Sequence, residues 1–264
     1  MSESQQAPQV TGSMLFYQRP ELLNKETHGA LGLVAAEKPF GFCSKTRALP
    51  VNITEVALAQ RHYPIVFTTK ENPVMIAVVG VIDDVNLFVD DKGMWDAGAY
   101  VPAYVRRYPF AVANENGGDR FAVVIDTAHE GFVRDGGQAL FANDQPAEGT
   151  TRAIDFCKMF ENERVMTQRS MEILQKFDLL SPQQANFTPE GQTEQAVFAE
   201  YWGVDAERLG KLPDNQILEL WKSGLMPVIF AHLMSFSNWR ELLNRRSQRY
   251  GLTQADLLKR ISLN

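Results

Sequence analysis

Residues 86–110 have the sequence NLFVDDKGMWDAGAYVPAYVRRYPF, in which aromatic side chains, two adjacent arginines and two prolines occur together. The run Asp90-Asp91-Lys92-Gly93 predicts a turn, because Asp and Gly tolerate the left-handed backbone conformation. Pro102 suits the first turn of a helix, and Pro109 forces that helix to stop. The stretch therefore predicts a strand, a turn and a helix of two turns bracketed by prolines.

The segments around this stretch predict a sheet. YPIVFTT (63–69) and PVMIAVVGV (73–81) are rich in β-branched residues and predict a hairpin or two neighbouring core strands. A third strand is expected at 85–89, and FAVVIDT (121–127) predicts another. Because strands that are apolar on both faces are typical of covered sheets, helices are expected to pack on this one.

From about residue 150 the apolar period changes to that of helices. An amphipathic pattern predicts a long helix from Thr150 or Thr151 to about residue 178. Asn238 with Glu241 predicts a capping box and a helix that ends near residue 250. The other predicted elements are a loop at 181–192, a strand at 195–204, helices at 205–212 and 214–223, a buried strand at 225–236 and a short helix at 253–261.

These patterns together predict an α+β fold, with a β-rich N-terminal half whose central sheet is covered by helices and a helix-rich C-terminal half. Residues 1–13 are expected to be a disordered leader, and residues 14–243 a globular domain with a candidate subdivision near 143–150. Residues 244–264 are expected to be a C-terminal helical extension.

Composition excludes several classes of protein. The 264 residues carry a formal net charge of -6, which argues against nucleic-acid binding, since that needs a basic face. The N-terminus lacks the pattern of a signal peptide, and the apolar runs are too short to span a bilayer. The expected location is the cytoplasm, with export to the surface by a non-Sec route left open.

No catalytic or cofactor signature occurs in the sequence. The four histidines lack the spacing to an acid that a metal chelate needs, and no phosphate-binding loop or nucleophile elbow is present. We therefore expect no metal, no cofactor and no assignable catalytic residue. Each histidine is expected at the surface or at the edge of the core.

The stretch at 86–110 contains the best candidate for an anion site. Guanidinium groups bind carboxylates through a planar fork, and aromatic rings stack on them or on a ligand. The predicted ligand-binding residues are Arg106, Arg107, Tyr100, Tyr104 and Trp95.

A structural interpretation of the same residues is favoured over the anion site. In it the tyrosines pack the short helix on the sheet, and the arginines pair with Asp90, Asp91 or Asp96. The basic residues near the C-terminus, Arg240 to Arg260, are interpreted as a solvated helix.

In their residues and in their order along the chain, several motifs resemble those of the SapC family of bacterial proteins. The family is named for a surface-layer locus. The similar motifs are YPIVF (63–67), NLFVDDKGMW (86–95), YVPAYVRRYPF (100–110), VVID (123–126), GQALF (137–141) and GLMPVIFAHLMSFSNWREL (224–242). The resemblance implies an accessory protein linked with surface layers or outer-membrane uptake systems, and it brings no established catalytic residues.

Three hypotheses about function follow. The first is a non-catalytic accessory or binding protein with an unknown protein or peptide partner, which is also a candidate homo-oligomer. The second is an enzyme that acts on peptides or small acidic metabolites in an arginine-lined pocket. The third is a surface-layer component exported without a cleaved N-terminal signal.

Overall fold

The computed structural model describes residues 14–114, 121–189 and 193–261, so the expected leader at 1–13 lies outside the described residues. The chain divides into two compact units. The described parts of Met1–Pro39 and Arg106–Asn162 form the first unit, and those of Phe40–Val105 and Glu163–Asn264 form the second.

The described strands, in chain order, are β1 (Pro20–Leu22), β2 (Leu31–Leu33), β3 (Ala48–Pro50), β4 (Ile65–Phe67), β5 (Met75–Val78), β6 (Phe110–Asn114), β7 (Phe121–Asp126), β8 (Phe132–Arg134), β9 (Gln138–Ala139), β10 (Phe141–Ala142), β11 (Gln145–Pro146), β12 (Leu180–Phe187) and β13 (Ala196–Val204). The described α-helices are α1 (Lys25–His28), α2 (Val56–Ala59), α3 (Ala103–Arg106), α4 (Glu148–Lys176), α5 (Ala206–Gly210), α6 (Asp214–Lys222), α7 (Leu225–Ser235) and α8 (Asn238–Tyr250). Single 3-10 turns occur at Gly41–Cys43 and Ile53–Glu55.

The first unit is built from small antiparallel sheets. Their strand orders are β1-β7-β6, β8-β2-β9 and β10-β11. Phe110, Ile125, Leu140 and Cys157 form the centre of its core, so the first half of α4 supplies part of that core through Cys157. The Tyr108 hydroxyl donates to Oδ2 of buried Asp126 at 2.8 Å, which fixes the end of the 86–110 stretch to β7.

The second unit contains a five-stranded antiparallel sheet of order β12-β13-β4-β5-β3. The predicted hairpin is confirmed as β4 and β5, which pair with Val66 opposite Ile76. Helix α7 packs against β4 and β13. Those two strands pair only at Trp202 and Phe67, and the seam between them is completed by side chains of α7.

The opening stretch differs from its prediction in two places. Residues 85–89 form an irregular loop instead of a strand, with one isolated bridge between Val89 and Trp95. Buried Asn86 explains the loop: its Oδ1 accepts from the Phe88 amide at 3.0 Å, and its Nδ2 donates to the Cys43 carbonyl at 3.3 Å. Side-chain bonds to the backbone of this kind compete with ladder pairing.

The second departure is that helix α3 has one turn, at Ala103–Arg106, instead of the two predicted. The Ala103 amide, which a helix start leaves without an internal partner, donates to Oε2 of Glu55 at 2.8 Å. Glu55 also completes a capping box with Asn52, a pair that lies just before α2. The same carboxylate therefore supports two helix starts.

Three predictions in the second half are wrong. Residues 225–236 form helix α7 instead of a strand, because an apolar run without period does not distinguish a buried strand from a buried helix. Leu180–Phe187 is a strand instead of a loop, since it pairs with β13 at the sheet edge, where Pro182 is tolerated. Residues 253–261 form turns instead of a helix.

The cap predicted for α8 is also wrong, although the helix bounds are confirmed. Ser237 is the N-cap, but its hydroxyl makes no capping bond and donates to the Met234 carbonyl at 3.1 Å, while Asn238 donates to the Gln60 carbonyl at 2.8 Å. The α+β class, helix α4 and strand β13 are confirmed. Within the described residues no one helix has the length and apolarity to cross a bilayer, and α6 and α7 reach that composition only as a pair bent by 91°.

Candidate functional site

The clearest candidate site is a groove of about 930 Å³ in the second unit. One wall is the end of the β12–β13 ribbon, and the other is the corner where α7 meets α8. We call it the aromatic groove and define it by Ala185, Phe187, Phe198, Tyr201, Phe236, Trp239, Arg240 and Leu243.

A β-bulge places two aromatic side chains of β13 on the same wall. The register shifts between Ala185 and Asn186 of β12, which leaves Phe198 as an extra residue opposite them. In a regular strand Phe198 and Tyr201 point to opposite faces, because they are three residues apart. The bulge re-aims one of them, so both rings contact Trp239, at centroid distances of 5.8 Å and 5.3 Å.

The opposite wall comes from the sharp turn between α7 and α8. Phe236 lies at that turn and meets the Tyr201 ring at 5.4 Å. Trp239, in the first turn of α8, is 8% exposed and is fixed between Phe198 and Tyr201. Rings held on both sides lose little further side-chain entropy when a ligand packs on them.

Arg240 follows Trp239 and gives the groove its charge. Its side chain is exposed, and within the described residues it makes no ion pair or hydrogen bond. Burial raises the pKa of the neighbouring Tyr201 hydroxyl, so that ring stays neutral at physiological pH. The groove therefore offers apolar rings beside one available guanidinium.

A second cavity of about 740 Å³ shares a wall with the aromatic groove. The shared residues are Phe198, Tyr201 and Trp239, and the floor includes Val66 and Ile76 of the five-stranded sheet. The three aromatic residues thus form a wall that the two adjoining spaces share.

His232 of α7 fills the seam between β4 and β13. Its Nε2 accepts from the Val204 amide at 2.9 Å, and its Nδ1–H donates to the Ile65 carbonyl at 2.6 Å. Ser235 completes the arrangement, because its Oγ accepts from the Ile65 amide at 2.9 Å. These bonds require a neutral imidazole, and burial lowers the pKa of His232 to about 4.

The position of His232 corrects the expectation that every histidine lies at the surface or the core edge, since it is fully buried. It also connects the seam to the aromatic groove. The His232 ring meets the Phe236 ring edge-on at 4.7 Å, and Phe236 lines the groove.

Residues 83–97, which we call the acidic loop, contact the C-terminal part of α8. This region contrasts with the aromatic groove in how it uses its charged residues. Three arginines of α8 form ion pairs with it: Arg245 with Asp96 at 2.8 Å, Arg246 with Asp83 at 2.6 Å and Arg249 with Asp91 at 3.1 Å. We call these three residues the arginine clamp. The expectation of a solvated basic helix is wrong for them.

The acidic loop uses its carboxylates internally. Oδ1 of Asp90 accepts from the amides of Lys92 and Met94, at 2.9 Å and 2.8 Å. A backbone bond from Gly98 and the ion pair with Arg245 lower the pKa of Asp96. Asp91 and Asp96 therefore pair with arginines of α8, and not with the arginines of the 86–110 stretch as the structural interpretation expected.

The residues of the predicted anion site fall in both units. Arg106 is exposed and lies 5.1 Å from the Phe156 ring centroid, and buried Arg107 lies 4.6 Å from that of Phe160; all four belong to the first unit. The three aromatic residues of the prediction belong to the second unit.

Those three aromatic residues have packing roles in the second unit. Trp95 is buried against Phe40, with ring centroids 5.7 Å apart, and Tyr104 is also buried. The Tyr100 hydroxyl donates to Oε2 of Glu55 at 2.9 Å. These contacts agree with the structural interpretation of the aromatic residues, and the anion site stays a prediction.

The sequence contained a signal for the aromatic groove that the predictions did not use. Trp239 and Arg240 are adjacent in the motif NWREL, and Arg240 was interpreted only as part of a basic helix. Tyr201 and Phe236 gave no usable signal, because the bulge and the α7–α8 corner that bring them to Trp239 depend on tertiary contacts.

Other reactive groups are few in the part of the chain that the structure describes. No cluster of three or more His, Cys, Asp or Glu side chains there is placed to hold a metal ion. Both cysteines are buried free thiols, and burial raises the pKa of Cys43 to about 12 and that of Cys157 to about 11.

Comparison with known proteins identifies the family. A SapC family model matches residues 23–242, most of the chain, so this protein belongs to the SapC family. The resemblance expected from the motifs is thereby confirmed. No curated protein and no solved structure matches the chain.

Proposed function

We propose that this SapC-family protein is an accessory binding protein, without catalysis of its own, that holds a peptide segment of a partner protein in the aromatic groove. The observation that carries the proposal is the arrangement of four aromatic rings in mutual contact beside the exposed guanidinium of Arg240. The ligand that fits is an apolar or aromatic side chain with a carboxylate close to it.

The rings supply most of the expected binding energy. An aromatic ligand ring that meets Tyr201 or Trp239 edge-on gains about 0.5–1.5 kcal/mol beyond the burial of its surface. A carboxylate adds to this because its hydrogen bonds to arginine are charge-assisted and bidentate. The position of the cation then decides which end of the peptide enters the groove.

We propose, in addition, that the protein acts in the cytoplasm as an accessory to a surface-layer or outer-membrane uptake system, the systems with which the family resemblance links it. Cell fractionation tests this part separately: a pool found mainly at the cell surface would contradict the location without affecting the groove.

Calorimetric titration with two peptides tests the groove. The probes are N-acetyl-Ala-Ala-Phe with a free C-terminal carboxylate and the same peptide with a C-terminal amide. We expect the free acid to bind with a dissociation constant below about 1 mM and the amide to bind about tenfold more weakly, since one charge-assisted bond is worth about 1.4 kcal/mol.

Two variants attribute the difference to the groove. Arg240→Ala is expected to weaken the acid to the level of the amide, whereas Arg169→Ala, an exposed arginine on α4, leaves both titrations unchanged. Equal affinity of the native protein for the two peptides, or no heat from either at millimolar concentration, contradicts the proposal.

A further inference from the structure

Helices α6 and α7 carry the three most exposed large apolar side chains among the described residues. Trp221 and Met234 are each 67% exposed and Phe230 is 53% exposed, and Leu218 of α6 is 49% exposed. Single exposed apolar residues are ordinary, but a concentration on two consecutive helices marks an interaction surface. None of these four side chains lines the aromatic groove.

The outward face of α6 has a symmetric order of charges. Asp214, Leu218 and Trp221 are spaced by four and three residues, so they share one face of the helix, and Lys222 lies beside Trp221. Asp214 and Lys222 are each four residues from Leu218, on opposite sides. Within the described part of the chain neither makes an ion pair, and both are exposed.

We infer that this face of α6 is the docking surface for a second copy of the chain, packed antiparallel about a two-fold axis next to Leu218. In a two-fold interface the same patch meets itself, so a residue before the axis faces its counterpart after it. Asp214 of each copy then faces Lys222 of the other. The apolar centre is Leu218 and Trp221, with an opposite charge at each end.

The charge of the surface favours a second copy over a membrane. Leu218 and Trp221 form an apolar centre smaller than that of a standard interface, and the opposite charges at its two ends match those of a second copy. A weak dimer that depends on concentration is therefore expected. Acidic Asp214 on the face opposes contact with anionic lipid, whereas a second copy presents Lys222 to it.

Sedimentation equilibrium of the full chain from 1 to 200 µM tests the inference. The native protein is expected to dimerise within this range. Lys222→Asp and Asp214→Lys each create two like-charge contacts, and each alone is expected to raise the dissociation constant at least tenfold. An equimolar mixture of the two variants restores both opposite-charge contacts and is expected to recover heterodimers.

Replacement of exposed apolar residues by glutamate supplies a second test and its matched control. Leu218→Glu is expected to abolish dimers, whereas Met166→Glu, which changes an exposed residue of α4, leaves the dissociation constant unchanged. Thermal unfolding of each variant checks that it is folded. If Asp214→Lys fails that check, the native protein is measured at 50 and 500 mM NaCl, where the ion pairs predict a higher dissociation constant at high salt.

Three results would each overturn the inference. They are a native protein that stays monomeric at 200 µM, a mixture of folded charge variants no more dimeric than its components, and a dissociation constant that does not change with salt. Binding to phosphatidylserine vesicles that is lost in Leu218→Glu, from a protein that stays monomeric, would assign the surface to lipid instead.

Discussion

Helix α8 carries two arginines that meet opposite environments. Arg246 is fully buried and donates to Oδ2 of Asp83, to the Leu257 carbonyl and to the Lys259 carbonyl, at 2.6, 2.7 and 2.7 Å. Arg240, less than two turns earlier on the same helix, is exposed at the rim of the aromatic groove. The same residue type therefore serves the fold in one region and is available for a ligand in the other.

The difference follows from what each charge loses when water is removed. A buried arginine is stable only when hydrogen bonds replace its hydration, so Arg246 needs the carboxylate and both carbonyls. Those carbonyls belong to residues 253–261, where a helix was predicted, and their bonds to Arg246 account for the turns observed there. Arg240 keeps its water and exchanges it only for a ligand.

The largest expected effect comes from breaking the buried side of this comparison. Arg246→Ala leaves the Asp83 carboxylate buried without its partner, and we expect the free energy of unfolding to fall by about 3–5 kcal/mol. Denaturation with urea at pH 7 measures it. Arg240→Ala is the control on the same helix, with an expected change within about 0.5 kcal/mol. Equal losses would remove the distinction between the two regions.

The next effect concerns the seam beneath the groove. Because burial lowers the pKa of His232 to about 4, below its ordinary value of 6.5, the unfolded chain binds a proton that the folded chain does not in the window between these values. The contribution of neutral His232 is complete above pH 6.5 and is lost as pH falls. We expect a loss of about 1 kcal/mol by pH 5.5 and about 3 kcal/mol by pH 4.

His232→Gln isolates this contribution, since an amide keeps a donor and an acceptor but does not titrate. Urea denaturation of both proteins at pH 7, 5.5 and 4 gives the comparison, in which the other acid groups cancel. The native protein should lose stability more steeply than the variant. Parallel pH dependences would show that His232 does not hold the seam in its neutral form.

The smallest effect lies at the exposed edge of the arginine clamp. Arg249 donates to the carbonyls of Asn86 and Val89 at 3.1 and 2.8 Å, and Arg249→Ala is expected to cost about 1 kcal/mol through the loss of these bonds. Asp91, the ion-pair partner, is fully exposed, so Asp91→Asn should leave the urea midpoint unchanged. A larger shift of the urea midpoint for Asp91→Asn than for Arg249→Ala would show that the ion pair, and not the hydrogen bonds to the carbonyls, stabilises this contact.

Local pattern predicted the parts of the fold that local physics decides. The β-branched residues around Lys70-Glu71-Asn72 predicted the β4–β5 hairpin, and the amphipathic period after Thr150 predicted α4 within a few residues. Helix α7 was missed, since its all-apolar run lacks a period. Strand β12 was missed because its polar residues become a strand only through pairing with β13.

The candidate site was less predictable than the fold. The arginines and aromatic residues of 86–110 attracted attention by composition, yet Trp95 and Tyr104 are packed in the core. The aromatic groove draws on residues 185–201 and 236–243, which come together through a bulge and a helix corner. Neither the register of a strand pair nor the angle between two helices is fixed by short-range preference.

The sequence by itself determined the α+β class, the hairpin, the long helix and membership of the SapC family, because these depend on local period and on ordered motifs. Tertiary structure alone decided the use of each arginine. Arg245, Arg246 and Arg249 bind the acidic loop, whereas the charged side chain of Arg240 lies at the rim of the aromatic groove. The physical reason is that a charged side chain stabilises the fold where segments distant in sequence supply its hydrogen-bond partners. It stays available for a ligand where they do not.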